Sequence, residues 1–246
     1  MTEPALLVDW RDDRVVATLH RPAVRNAIDQ AMIDELHALC ARLEVQPRIL
    51  ILTGAGGVFA SGADIAQLRE RRGADARRGI NTMAFRRVRD LRMPVIAALD
   101  GWALGAGAEL AYAADLRLGT PATRIGNPEV KLGIMAAAGA TWRLPALVGE
   151  ARAAELLYTG RVLDADEALA WGLLNGIHPS ESLLDAAHEL ADRIAQNDPL
   201  AVRHTKTALA APPDRHPGID LELQAELFDS PEKTRRMTEF LERRRR

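Results

Sequence analysis

The sequence predicts an α/β fold on a sheet that is at least partly parallel, with a helical region appended at its C-terminal end. Three observations carry this. "RILILTG" and "PVIAAL" are apolar runs without in-and-out alternation, the pattern of strands covered on both faces. Each leads through a glycine-rich loop into a helical stretch, and repetition of strand, loop and helix marks a sheet with parallel neighbours. From about residue 182 the strands give out, and "ESLLDAAHELADRIAQN", "LAVRHTKTALA" and "DLELQAELFDSPEKTRRMTEFLERRRR" follow as helices separated at Pro199 and at Pro212 and Pro213.

Taken in order, "ALLVDW" and "RVVATLHR" are two strands joined in a hairpin at "RDD". "RPAVRNAI" is a turn. Asp29 then stands where a helix cap belongs, and Met32, Leu36, Leu39, Cys40 and Leu43 recur behind it at helical spacing, with Pro47 beyond the end. "RILILTGAGG" is a strand entering a loop. "ADIAQLRERRG" and "ARRGINTMAFRRVRDLR" are helical, the second with Ile80, Met83, Phe85, Val88 and Leu91 along an apolar stripe. "MPVIAAL" is a strand, "GAGAELAYAA" a helix and "LRLGT" a strand again. The expected organisation is a core over residues 1–181 and a helical region over 182–246.

Composition bounds the function. With 246 residues, 48% apolar and 27% charged, the chain has the make-up of an ordinary globular protein with a large core. A net charge of -2 gives no reason to expect a nucleic-acid partner, and the terminal "RRRR" reads as a solvated helix end. No apolar run approaches the roughly 20 residues of a membrane span, and "MTEPALLVDW" lacks the basic and apolar segments of a signal peptide. Cys40 is the single cysteine, which excludes an intrachain disulfide and fits a reducing, cytoplasmic setting. Its helical neighbours make it a core residue rather than a nucleophile.

Several chemistries are missing. Ser61 lies outside any G-x-S-x-G frame, "TGAGG" lacks a following G-K-[ST], and no G-x-G-x-x-G occurs. His20, His37, His178, His188, His204 and His216 are scattered without metal-ligand spacing, so no metal is expected. Carboxylates and small-residue turns remain. "ILTGAGGVFASGADI" and "VIAALDGWALGAGAEL" each run from strand through small residues to a helix start. Two such starts aimed at one point could hold an oxygen that gains negative charge, through unpaired N–H groups and the positive ends of the helix dipoles. They could equally serve close packing of helix on strand.

Glu109 is the one acid within "WALGAGAELAYAA". A carboxylate buried there must find a partner, hold its proton or face a cavity, because an unpaired buried charge is costly. Glu129, in "RIGNPEVKLGI", taken alone fits a surface carboxylate, and gains meaning only if the fold brings it to Glu109. Asp64 is placed to cap a helix and Asp115 reads as structural, while Trp102 and Met135 fit either an acyl pocket or ordinary core.

From end to end the chain resembles the crotonase superfamily, the enoyl-CoA hydratase/isomerase family. "LHRPAVRNAI", "ILTGAGGVFASGADI", "PVIAALDGWALGAGAEL", "NPEVKLGI", "GATWRLPALVGEARAAELLYTGR" and "DADEALAWGLLN" carry the likeness in family order and spacing. The resemblance implies a crotonase (ClpP-like) spiral of repeated ββα units, and a C-terminal helical region that builds homotrimers, commonly paired into homohexamers. It also implies an acyl-CoA thioester substrate with no further cofactor. Carried over by position, Glu109 and Glu129 are the catalytic acids, and the oxyanion-hole N–H groups belong to Ala63 and to Ala106, where the family often has glycine. Substrate and coenzyme A contacts fall on Arg25, Ala60, Gly62, Ala63, Asp64, Ile65, Trp102, Gly105 and Ala137, and on Phe240 and Arg243 of a C-terminal helix. Ala66 stands where many relatives carry lysine, and Ala136 and Ala137 stand where many have proline or glycine. Retention of both acids implies hydration of a trans-2-enoyl-CoA to a 3-hydroxyacyl-CoA. The alternatives are a Δ3,Δ2-enoyl-CoA isomerase or other enolate chemistry, and a non-catalytic acyl-CoA-binding subunit.

Overall fold

A computed structural model describes residues 3–244. The chain divides into two compact units, the first ending at Ala191 and the second beginning at Asp192. The expected hairpin forms from β1 (Leu6–Trp10) and β2 (Arg14–Leu19), paired antiparallel. Asp29 caps α1 (Gln30–Val45), its carboxylate accepting the Met32 N–H at 2.9 Å, and the face carrying Met32, Leu36, Leu39, Cys40 and Leu43 is buried as the spacing requires. β3 (Ile49–Gly54) lies parallel to β2. After it come three short helices, α2 (Ile65–Glu70), α3 (Gly73–Arg78) and α4 (Ile80–Arg89).

On α4 the apolar stripe differs from the expected one. Met83 is 53% exposed and Ala84 is buried with Phe85 and Val88. Residues two apart on a helix point to nearly opposite sides, so Met83 cannot share a face with Phe85.

The rest of the first unit repeats one move. β4 (Val95–Leu99) enters the large sheet, the chain crosses to β5 (Trp102–Leu104) in a second sheet, and α5 (Ala106–Ala113) follows. β6 (Leu116–Gly119) and β7 (Arg124–Gly126) divide in the same way between the two sheets. After α6 (Ala140–Val148) and α7 (Glu150–Thr159), β8 (Val162–Asp164) joins the small sheet, and α8 (Ala165–Ala170) precedes β9 (Gly176–Ile177) at the edge of the large one. The large sheet has the order β1-β2-β3-β4-β6-β9, parallel beyond the hairpin, and the small sheet β5-β7-β8. One strand to each sheet and then a helix is the ββα repeat of a spiral. β5 is three residues long and sits among glycines, so no run of apolar residues announces it.

This winding places the two glycine loops side by side. β3 and β4 are parallel neighbours, so the loops leaving their carboxyl ends emerge at one edge. They are then stitched together: the Ala60 N–H donates to the Trp102 carbonyl and the Leu104 N–H to the Ala60 carbonyl, each at 3.0 Å. A Cβ on Gly107 would lie 2.5 Å from the Ala60 oxygen, so only glycine lets α5 start directly against the first loop. Buried Asn26 fixes the root of that loop, donating to the carbonyls of Ala55 at 2.8 Å and Val58 at 2.6 Å.

The boundary between units falls inside α9 (Leu183–Ala195), later than the change of pattern at residue 182. The second unit carries α10 (Pro199–Ala210), α11 (Gly218–Asp229) and α12 (Pro231–Arg243). Asp198 caps α10, and His204 meets Glu226 of α11 at 2.8 Å. Leu209, Leu221 and Phe228 are exposed on this unit. Among the described residues no helix is long and apolar enough to cross a membrane.

Candidate active site

A cleft of about 1050 Å³ opens in the first unit, lined by both glycine loops, the start of α5 and the segment from Pro128 to Ala138. Glu109 and Glu129 both face it. Glu109 is reached through the first turn of α5 and is only 4% exposed. Its Oε1 accepts two main-chain bonds, from the Ala138 N–H at 2.6 Å and the Ala140 N–H at 3.1 Å. Burial pushes its carboxyl up to about 7; the Ala140 and Ala138 N–H groups pull the other way, and repulsion from Glu129 adds to the rise.

Glu129 sits on the single helical turn Pro128–Leu132. Asn127 Nδ2 approaches its Oε1 at 3.4 Å, while its buried Oε2 has no hydrogen-bond partner among the described residues. Burial raises this carboxyl as well. Asn127 is held in turn by the Tyr112 hydroxyl, which donates to Asn127 Oδ1 at 3.0 Å inside the core. One acid thus has an anchored oxygen and the other an unanchored one.

Residues of the two glycine loops line the same cleft as the acids. Ala63 forms a parallel bridge with Ile28 in which Gly62 and Asp64 make both bonds, the Ile28 N–H to the Gly62 carbonyl and the Asp64 N–H to the Ile28 carbonyl. The bracketed residue turns its own N–H away from that partner. Ala106 opens α5, where an N–H has no acceptor within its helix. Gly105 before it has φ 51° and ψ -122°, a conformation open to glycine. Its N–H is fixed on the Gly126 carbonyl at 2.9 Å, and a Cβ added to it would lie 3.0 Å from Glu129 Oε1.

Of the residues read from the sequence, the cleft brings together Glu109, Glu129, Gly62, Ala63, Ile65, Gly105, Ala106, Met135 and Ala137. Others lie outside its lining. Trp102 is 44% exposed at the opposite end of β5 from Leu104, which does line the cleft. Ala60 is fully buried, its amide used up between the two loops, and Ala136 is buried beside its cleft-lining neighbour. Asp64 caps α2 through the Ala66 and Gln67 N–H groups and pairs with Arg21 at 3.4 Å. Arg25 is exposed in a left-handed turn, with its carbonyl accepting the Ser61 N–H. Asp115 is structural as expected, accepting the Val95 N–H at 2.7 Å. Phe240 and Arg243 lie on α12 of the second unit, where Phe240 is exposed under the Arg244 guanidinium. Sequence reasoning missed the grip of Ala138 and Ala140 on Glu109, because a main-chain donor leaves no residue signature. It also passed over Asn127, whose place directly before "PE" was the available signal.

The ββα repeats spread over two sheets, with both glycine loops and two acids lining one cleft, define a protein of the crotonase fold. The chain belongs to the enoyl-CoA hydratase/isomerase family, whose model matches residues 14–246. It is 37% identical over 239 residues to a short-chain-enoyl-CoA hydratase of Clostridium acetobutylicum, covering 94% of this chain and 92% of the relative. It is 35% identical to a crotonyl-CoA hydratase of Syntrophomonas wolfei, over 98% and 96% of the two chains. The crystal structure of an enoyl-CoA hydratase from Bacillus anthracis superposes with a TM-score of 0.92 at 32% identity, covering 97% of this chain and 96% of that one.

The raised carboxyl of Glu109 has a consequence for stability. Between pH 4.5 and about 7 the folded protein keeps a proton that the unfolded chain has released, so stability falls as pH rises through this window. Glu109→Gln can still accept from both N–H groups and carries no charge to bury. Its thermal midpoint is expected to exceed that of the parent at pH 8, by up to about 3 kcal/mol of stability, and to match it near pH 4. Equal midpoints at both pH values would show that the acid is not strained by its surroundings.

Proposed function

We propose that this protein is an enoyl-CoA hydratase, a hydro-lyase adding water across the 2,3 double bond of a trans-2-enoyl-CoA to give the 3-hydroxyacyl-CoA. One observation carries the reading: the buried Glu109 and the half-buried Glu129, both with raised proton affinity, line one cleft together with Ala63 and Ala106 at adjoining loop ends. The thioester oxygen lies on the N–H groups of Ala63 and Ala106, and the double bond lies between the carboxyls.

Glu109, with Oε1 anchored, presents its second oxygen as base to the attacking water. As the water's O–H bond breaks, the new C–O bond forms at Cβ and the π electrons move toward the thioester, whose oxygen becomes negative against the two N–H donors. Glu129, through its unanchored Oε2, delivers a proton to Cα. The water's proton ends on Glu109 and Glu129 is left ionised, so one proton passing from the first acid to the second resets the pair. Coenzyme A enters as part of the substrate and no further cofactor takes part. Assembly into trimers or hexamers and a cytoplasmic setting belong to the same reading, the exposed Leu209, Leu221 and Phe228 of the helical unit giving apolar surface for the assembly.

The test follows the absorbance of a conjugated short-chain enoyl-CoA in isotopically labelled water. Loss of the conjugated signal with label in the product is the expected result. Movement of the double bond without label would make the protein an isomerase, and tight binding without turnover an acyl-CoA-binding subunit.

A further inference from the structure

Arg71 follows α2 directly, and its half-buried side chain lines the cleft. Its Nη1 lies 3.5 Å from Asn81 Oδ1, and among the described residues no carboxylate pairs with it. The nearby acid of the lining, Asp75, is already engaged: it accepts the Arg72 N–H at 2.9 Å and meets Arg78 at 3.5 Å. Arg72 also lines the cleft but is exposed, its guanidinium turned onto the carbonyls of Arg69 and Arg71. Arg71 is therefore a cation partly withdrawn from water, steadied by one amide oxygen and facing a substrate cleft. A guanidinium in that state is matched by a planar anion, which its fork can bind through two parallel bonds.

A chain of contacts sets Arg71 on the wall that continues from the acids. The Ala138 N–H holds Glu109, the neighbouring Ala137 carbonyl accepts the Thr82 hydroxyl at 3.1 Å, and Asn81 beside Thr82 meets Arg71. Leu68, Ile80 and Met135 supply apolar surface in the same lining. An acyl chain leaving the acids along this wall meets aliphatic side chains and then a positive charge. A tail ending in a methyl group would leave that charge half-desolvated and unpaired, whereas a terminal carboxylate would complete it.

We propose that Arg71 recognises a carboxylate at the ω end of the acyl chain, so that the substrates are coenzyme A thioesters of unsaturated dicarboxylic acids. This rests on the hydratase reading and names the substrate class within it. A phosphate of coenzyme A would offer the same anionic chemistry, and the experiment separates the two sources. With the purified full-length protein, kcat/KM is measured for trans-2-hexenoyl-CoA and for the six-carbon 2-enoyl ester that ends in a carboxylate. The parent is expected to favour the carboxylate ester by at least about tenfold, the scale of one charge-assisted hydrogen bond. Arg71→Ala should collapse that ratio, and Arg71→Lys should restore part of it. A parent that favours the neutral ester overturns the proposal, as does an Arg71→Ala loss that is equal for both esters, which would assign the guanidinium to coenzyme A. Hydration of neither ester would overturn the hydratase reading and the inference with it.

Discussion

Glu109→Gln and Glu129→Gln are each expected to slow hydration of a 2-enoyl-CoA by at least about a hundredfold, the loss that follows removal of one general acid or base. Ligand affinity should change little, because the thioester is held by main-chain groups that neither substitution touches. The two acids handle protons of a single reaction, so the double variant should be scarcely slower than the worse single variant. The pH profile separates their roles. In the parent, kcat/KM should rise as Glu109 loses its proton near pH 7. Glu129 has to hold its proton for the step assigned to it, so kcat/KM should fall again where Glu129 ionises, and Glu129→Gln should remove that falling limb while lowering the plateau. Steady-state kinetics across pH 5 to 9 would read both effects. Near-normal turnover by either variant would remove that acid from the mechanism.

The sequence and the structure divide the information unevenly. The hairpin, α1, β3, β4 and α5 were all legible, because burial imposes a period or a continuous apolar run that survives in the residues themselves. β5 was not, since three residues between glycines carry no such pattern, and it is β5 that stitches the second loop to the first. The same split runs through the site. Glu109 stood out because a charge in an apolar run needs explaining, whereas Glu129 acquired meaning only from the partner that the spiral winding brings to it. The N–H groups that hold Glu109 were invisible, as any residue but proline supplies one. Arg71 hid among other arginines in "RERRGADARRG", and only its half-burial distinguishes it from exposed neighbours.

The oxyanion donor at Ala106 depends on the residue before it, which makes Gly105→Ala the other substitution of large effect. Gly105 carries two duties. Its φ of 51° with ψ of -122° turns the chain so that the next peptide opens α5 with a free N–H, and its bare Cα leaves room for the Glu129 carboxylate. Alanine is strained in that conformation by about 1–3 kcal/mol, and its methyl would stand 3.0 Å from Glu129 Oε1, closer than the carboxylate tolerates without moving. Either relief harms the chemistry: rotating the backbone misdirects the Ala106 N–H, and displacing Glu129 withdraws the acid from Cα. Loss of one such donor costs about a hundredfold or more in kcat, so Gly105→Ala is expected to fall at least that far. A matched control distinguishes this from general strain. Gly172 also has positive φ, at 75°, with nothing within 4 Å of an added Cβ, and it lies outside the cleft lining. Gly172→Ala should therefore lower the thermal midpoint through backbone strain alone and leave kcat in place. If the two variants lost stability alike and kept equal kcat, Gly105 would be a turn residue only, and the donor geometry assigned to Ala106 would have to be abandoned.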